Sequence, residues 1–331
     1  MVKKEFSQNT KSNLPGFFSV HKRRLIGFFL VAFLLFLFPS PNIYFQSVPK
    51  TTGVELSANF DLPKNPLLPI DNHTGQVPAI AAAGVLIKDI PSGMVLYAKN
   101  ERVKFPPAST TKIMTALISL EKYHLDDVMT VKTIVNDGKK MGLVLGEQIT
   151  VESLLYGALV HSANDAAYVL AENYPGGVAK FVEKMNEKAK QLNLSETHFA
   201  NPIGFDDVNQ YTTARDLAKL AQIALTDKIF SKIVGTKSIT VSDVNFYNFH
   251  DLKNVNELLG KVAGVSGVKT GFTENAGEIL VSEVKKQDRT VLFVVLKSGD
   301  RFGDTTRLID WVFSNFTWVP IEKLIPTTGS L

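Results

Sequence analysis

Residues 279–296 read ILVSEVKKQDRTVLFVVL. Ile279–Val284 and Thr290–Leu296 are short, apolar and rich in β-branched residues, and Lys285-Lys286-Gln287-Asp288-Arg289 between them is a polar turn. That pattern predicts two adjacent antiparallel strands. A second unit of the same kind lies nearer the N-terminus: Ala81–Ile90 reads as a strand, Pro91-Ser92-Gly93 as a turn and Met94–Ala98 as a returning strand. Between these hairpins the apolar period lengthens to that of a helix. Ser109–Tyr123 carries Ile113, Leu117 and Leu120 on one face, and Val151–Leu159, Asp165–Glu172 and Thr213–Leu225 follow suit. Val178, Phe181, Val182, Met185, Ala189 and Leu192 mark another helix, and Leu308, Ile309, Val312, Phe313 and Phe316 the stripe of a last one. Strands at both ends around a helical middle predict an α/β chain of the α+β type, an antiparallel sheet covered by helices.

Composition narrows the chemistry. The 331 residues are 45% hydrophobic and 21% charged, which excludes a wholly disordered chain. With no cysteine, disulfides, thiolate catalysis and cysteine zinc sites are excluded together. His21, His73, His124, His161, His198 and His250 have no metal-ligand spacing, and nothing cradles nucleotide phosphates, so neither metal nor cofactor is expected. The net charge of +4 is concentrated at one end. Residues 1–24 hold six basic residues against Glu5, and the remainder carries 30 basic and 31 acidic residues, which excludes a nucleic-acid binder by charge.

After the basic tail (1–24) comes an unbroken apolar run, LIGFFLVAFLLFLF, at 25–38. As a helix it spans about 21 Å, against ~30 Å of bilayer hydrocarbon. It reads as an N-terminal membrane anchor or, if cut, a secretion signal. Pro41 would sit badly just after a cut at Ser40, which favours the anchor. Lys22, Arg23 and Arg24 at its edge put everything beyond residue 40 outside the cytoplasm. Seven prolines between Pro39 and Pro78 read as an irregular linker, 39–79. The globular domain is expected over 80–318, with a tail at 319–331.

Three short motifs occur in order: Ser109-Thr110-Thr111-Lys112, Ser162-Ala163-Asn164 and Lys269-Thr270-Gly271. The S-x-x-K pattern alone is weak, since it recurs elsewhere, Ser47, Ser119 and Ser282 among the copies. K-T-G occurs once, where chance gives ~0.1 in a chain this long. Context separates the copies. Ser109 follows Pro106-Pro107-Ala108 and opens a helix, so Lys112 one turn on faces the same side. Ser47 is in the linker, Ser119 inside a helix and Ser282 mid-strand. A serine hydroxyl needs an adjacent base. No Ser-His-Asp or G-x-S-x-G arrangement is evident, so Lys112 is the candidate. A lysine is a base only when neutral; burial and a second cation, for which Lys269 is available, would lower its pKa. Ser162, Asn164 and Asp165 also suit plain capping of the next helix, and His161 suits a structural role.

The motif set is the one described for penicillin-binding proteins and class A β-lactamases. PPASTTKIMTAL, GEQITVESLLYGALVHSANDAAYVLAE, LNLSETHFANPIGF, YTTARDLAKLAQ and GVSGVKTGFTENAGEILV resemble the D-alanyl-D-alanine carboxypeptidases, the low-molecular-mass penicillin-binding proteins, over about residues 80–318. The resemblance implies a five-stranded antiparallel sheet flanked by helices, with the site between sheet and helical lobe. It implies acyl transfer on peptidoglycan stem peptides ending in D-Ala-D-Ala, with β-lactams as inhibitors acylating the same serine. Ser109 would be the nucleophile and Lys112 its base; Ser162 would relay a proton to the leaving amine and Asn164 would position the substrate amide. Lys269 and Thr270 of the Lys269-Thr270-Gly271 strand, assisted by Arg289, would bind the terminal carboxylate. The backbone N–H groups of Ser109 and Phe272 would form the oxyanion hole. Some relatives carry histidine where Phe272 stands, which puts its side-chain contact in doubt. Many also continue into a β-rich domain and an amphipathic anchoring helix, for which Thr317–Leu331 has no counterpart. The rivals are an endopeptidase using the same site, a non-catalytic wall-binding protein of the same fold, and a β-lactamase. The last lacks its E-x-x-L-N segment between Asn164 and Lys269.

Overall fold

The computed structural model describes residues 67–72 and 75–324. The basic tail and the apolar run 25–38 lie outside the described residues. In chain order the elements are β1 (Leu68–Asp71), β2 (Gly84–Asp89), β3 (Val95–Lys99), α1 (Lys112–Lys122), β4 (Val128–Thr130), β5 (Gln148–Thr150), α2 (Val151–Leu159), α3 (Asn164–Glu172), α4 (Gly177–Gln191), α5 (Ala214–Ala224), α6 (Lys228–Val234), β6 (Ser238–Ser242), β7 (Phe249–Lys253), β8 (Val265–Thr273), β9 (Gly277–Lys286), β10 (Arg289–Ser298), α7 (Arg301–Asn315) and β11 (Phe316–Val319).

The two hairpins read from the sequence join in one five-stranded antiparallel sheet, in the order β3-β2-β10-β9-β8. β10 lies at its centre, with Val294 opposite both Leu86 and Val281. Its side chains alternate between two cores. Leu292, Val294 and Leu296 pack with the helical lobe, α1 to α6. Val291, Phe293 and Val295 pack against Leu308, Ile309 and Val312 of α7. Helices on both faces explain why this antiparallel strand is apolar throughout rather than alternating with polar residues. Phe293 is fully buried; truncating such a ring costs ~3–5 kcal/mol.

Helix starts follow capping chemistry. The side chains of Thr150, Thr213 and Asp300 accept hydrogen bonds from Ser153, Asp216 and Gly303 N–H, fixing where α2, α5 and α7 begin. Asp304, buried in α7, accepts from the N–H groups of Ala81 and Ala82 and from Ser298 Oγ, tying the entry of β2 to the end of β10.

Three expectations need correction. The 39–79 linker ends too late, because Leu68–Asp71 pairs antiparallel with β11 and the domain has begun by then. Pro69 is compatible with this, since a two-stranded ribbon has outer edges where no donor is needed. Phe316, read as helical, is instead the first residue of β11. The polar turn between β9 and β10 shrinks to Gln287–Asp288, because both strands extend further than the apolar pattern suggested.

Candidate active site

Ala108–Thr111 form a single 3-10 turn that runs directly into α1. In such a turn residues i and i+3 eclipse one another. Lys112 therefore lies over Ser109, and its Nζ donates to Ser109 Oγ at 2.9 Å. The helix expected from Ser109 is regular only from Lys112, and the tighter turn before it creates the contact. Gly204 presses on this turn. Its φ is +96°, and a Cβ there would lie 2.0 Å from the Ala108 carbonyl oxygen, so only glycine fits.

Lys112 is wholly buried. Its other two protons go to Asn164 Oδ1 at 2.7 Å and the Ile203 carbonyl at 2.6 Å. Burial lowers its pKa to about 7, with the Asp165 carboxylate pulling the other way. Lys269, on β8, is also buried, and its Nζ donates to Ser162 Oγ at 2.6 Å and to the Thr270 carbonyl at 3.0 Å. Burial holds the Lys269 ammonium well below its usual range, and the charges of Lys112, Arg301 and Lys139 add to this. Desolvation is the first cause at both lysines, and the repulsion between them, expected from the sequence, acts on each.

Ser162 precedes α3 in a left-handed conformation, φ +62°. Asn164, first residue of α3, donates through Nδ2 to the Asp137 carbonyl at 3.0 Å. The next residue fixes the same loop. The Asp165 carboxylate accepts from the N–H groups of Met141, Gly142 and Leu143 at 2.9–3.1 Å. That loop carries Gly138 and Lys139 to the cavity wall. Gly138, with φ +71°, stands where a Cβ would come 2.4 Å from Asn164 Nδ2. His161 is half-buried and accepts from Lys253 N–H at 3.3 Å.

β8 is an edge strand, and its Lys269-Thr270-Gly271 segment borders a cavity of about 400 Å³. Ser109, Ser162, Asn164, Thr270, Phe272 and Arg301 all line it, with the Phe272 ring 60% exposed. Lys112 and Lys269 reach it through their hydrogen bonds to Ser109 and Ser162, whereas Arg289 is elsewhere. It opens β10 at the β9–β10 turn, where its guanidinium lies 5.1 Å from the Trp318 ring centroid. β9 leads away from Lys269 and β10 returns, so a residue in the turn between them lies at the far end of the sheet. An arginine that does reach the cavity is Arg301, at the start of α7, which donates to the Gly271 carbonyl at 2.9 Å. Its Nε is buried without a hydrogen-bond partner. The signal for it was present in the sequence, since Asp300 caps a helix just where β10 comes back to the cavity end.

A hydroxyl under a buried lysine at a sheet edge, faced by a second serine–lysine pair, fits a serine peptidase. Residues 71–299 match the D-alanyl-D-alanine carboxypeptidase family, and the chain belongs to that family. A Bacillus subtilis D-alanyl-D-alanine carboxypeptidase is 34% identical over 269 residues, covering 78% of this chain and 69% of its own. A Pseudomonas aeruginosa D-alanyl-D-alanine endopeptidase is 34% identical over 241 residues, covering 70% of this chain and 77% of its own. Among solved structures, the DD-transpeptidase of Streptomyces K15 superposes with a TM-score of 0.68 at 33% identity, covering 72% of this chain and 100% of its own. Penicillin-binding protein D2 of Listeria monocytogenes, solved with ampicillin bound, superposes at 0.64 with 28% identity, covering 71% of this chain and 100% of its own.

Proposed function

We propose that this protein removes the terminal D-alanine of peptidoglycan stem peptides through an acyl-enzyme on Ser109, and that β-lactams acylate the same serine. The observation that carries this is the 2.9 Å contact between Lys112 Nζ and Ser109 Oγ, on a lysine that burial brings to about 7. Near that pH a substantial share of Lys112 is neutral. Its lone pair then accepts the Ser109 proton while Asn164 Oδ1 and the Ile203 carbonyl hold the remaining hydrogens. Oγ attacks the carbonyl of the penultimate residue, and the N–H groups of Ser109 and Phe272 receive the oxyanion. Ser162, held by Lys269, passes a proton to the departing amine. Water then releases the shortened peptide.

Thr270, Lys269 and Arg301 receive the terminal carboxylate, with Arg301 in the place expected of Arg289. A carboxylate arriving there favours the charged form of Lys269. The charge regained by Lys269 in turn favours the neutral form of Lys112. Substrate binding and activation of the base are thereby linked.

The test is D-Ala release from a stem pentapeptide. The wild type should release it, and Lys112→Ala should lose nearly all of that activity; equal rates would remove the lysine from the mechanism. A second reading, cleavage of peptidoglycan cross-links, has the support of a relative of equal identity named as an endopeptidase. Loss of muropeptide dimers without free D-Ala would favour it. A non-catalytic wall-binding role would leave the Ser109–Lys112 contact without a use. Residues 25–38 act as the membrane anchor in this reading, or as a signal if cleaved, and the domain works at the outer face of the cytoplasmic membrane. Among the described residues no helix is long and apolar enough to cross a membrane. Retention of the full-length protein in carbonate-washed membranes, and its release on deleting 1–38, would test that placement.

A further inference from the structure

The far end of the sheet carries another cavity, of about 490 Å³, lined by Lys286 and Arg289 at the β9–β10 turn and by Phe313, Phe316 and Trp318. Phe272, in the catalytic cavity, pairs with Glu278, and Lys286 comes eight residues later on β9. At about 3.3 Å per residue the two cavities stand ~26 Å apart along the sheet. This one is therefore remote from the reacting groups.

Its two cations lie over aromatic rings and are otherwise almost unused. Lys286 Nζ is 4.7 Å from the Phe313 ring centroid, and the Arg289 guanidinium 5.1 Å from that of Trp318. Neither makes an ion pair among the described residues, although Lys285 beside them pairs with Glu283. Lys286 has no hydrogen-bond acceptor among the described residues, and Arg289 has only Gln287 Oε1. Arg289 Nε is buried without a partner. Buried donors are almost always paired in a native protein, so this arginine is set for an acceptor that the protein does not itself provide. Asp288, exposed in the same turn, is the one acid of residues 285–290 and pairs with neither cation.

An aromatic floor under two half-buried cations suits the boundary between lipid headgroups and water. There, basic side chains hold their charge at the level of the phosphates while their stems and neighbouring rings meet apolar surface. The path of the chain points the same way. β1 pairs with β11 in the register Leu68↔Val319 to Asp71↔Phe316, so the segment following the apolar run 25–38 enters the fold on the strand that walls this cavity. Residues 39–67 in between can span at most ~100 Å, which keeps the domain close to the surface in which that run is proposed to sit.

We infer that the cavity formed by Lys286, Arg289, Phe313, Phe316 and Trp318 is a docking site for the phosphate group of an anionic phospholipid, seating this end of the sheet on the membrane. This rests on the membrane placement proposed above and adds an orientation to it. The catalytic cavity, toward the opposite end of β9, then stands ~26 Å out from the lipid surface, on the side of the wall. Arg289, which the reaction does not use, thereby has a role of its own.

The test reconstitutes the full-length protein in phosphatidylcholine vesicles with and without phosphatidylglycerol, and reads quenching of tryptophan fluorescence by lipid brominated near the headgroup. The chain has two tryptophans, Trp311 and Trp318, and none in 25–38, so the signal reports on this end of the domain and not on the anchor. Brominated phosphatidylglycerol should quench the wild type, and the same fraction of brominated phosphatidylcholine should do so far less. A basic residue near an anionic surface is worth roughly fivefold in partitioning, so Lys286→Gln/Arg289→Gln should lower the docked-to-free ratio about 25-fold and abolish the quenching. Asp288→Asn, which removes the acid of the turn, should raise that ratio about fivefold. D-Ala release should be unchanged in both variants. Equal quenching by the two lipids, or quenching unchanged in the double variant, overturns the docking site. Binding of inorganic phosphate, read on the same tryptophans, with no response to phosphatidylglycerol assigns the cavity to a soluble anion and overturns it too. Failure of the wild type to float with either vesicle overturns the membrane placement and this site with it. Loss of D-Ala release in the wild type overturns the proposed activity alone.

Discussion

The two serine–lysine pairs that face each other across the cavity arise in opposite ways. Ser109 and Lys112 are three residues apart and meet because a 3-10 turn stacks i over i+3. Ser162 and Lys269 are 107 residues apart and meet only because the helical lobe and the β8 edge close on one another. The local pair survives as long as one turn forms. The distant pair depends on two cores packing in register, so it reports on the docking of lobe against sheet. In the proposed mechanism the local pair supplies nucleophile and base, and the distant pair a proton relay and a carboxylate-sensing cation.

Substitutions should separate these roles. The largest effect belongs to the local pair: Lys112→Ala should lower kcat/KM for D-Ala release by roughly 10³-fold, within the range for a general base, with overall fold preserved by circular dichroism. Ser162→Ala, which breaks the distant pair, should cost less, about 10²-fold, and should slow both acylation and release of the acyl group. A larger loss at Ser162 than at Lys112 would reverse the assignment of base and relay. Next comes the carboxylate site. Arg301→Gln removes a charged donor worth ~1.5–3 kcal/mol and should raise KM about tenfold or more with little change in kcat, whereas Arg289→Ala should leave both near wild type.

The smallest effects should come from pH. Lys112 acts when neutral and titrates near 7, so kcat/KM should rise as pH passes upward through that value and level off above it. A profile flat from 5 to 9 would remove a titrating lysine. The same shift links to stability. Because the folded pKa lies below that of an unfolded lysine, the buried charge destabilises the native state fully below about 7. That cost is progressively relieved up to the unfolded pKa, ~10.4. Lys112→Met should flatten this pH dependence of the melting temperature.

How much of this was legible in the sequence follows the same division between local and distant. Ser109 with Lys112 could be read from spacing, and the β9–β10 and β2–β3 hairpins from apolar runs broken by polar turns. Lys269-Thr270-Gly271 was legible as a motif, but its hydrogen bond to Ser162 was not, since nothing local encodes which helix start the strand will face. Arg289 failed for a topological reason. An arginine in the turn after β9 must lie at the far end of the sheet from Lys269, and strand direction counted from Lys269 through β9 and β10 would have pointed to Arg301. β1 was hidden because its four residues sit among prolines and pair with β11, about 250 residues away. Asp165 was legible as a cap; that its carboxylate also gathers three N–H groups of the 137–146 loop was not.

The most direct test of the central claim is intact-mass and peptide-mapping analysis after incubation with a penicillin. A lysine-activated Ser109 predicts a single covalent adduct on the peptide containing Ser109, absent from Ser109→Ala and formed much more slowly in Lys112→Ala. An adduct that persists in Ser109→Ala, or that maps to Ser162, would contradict it.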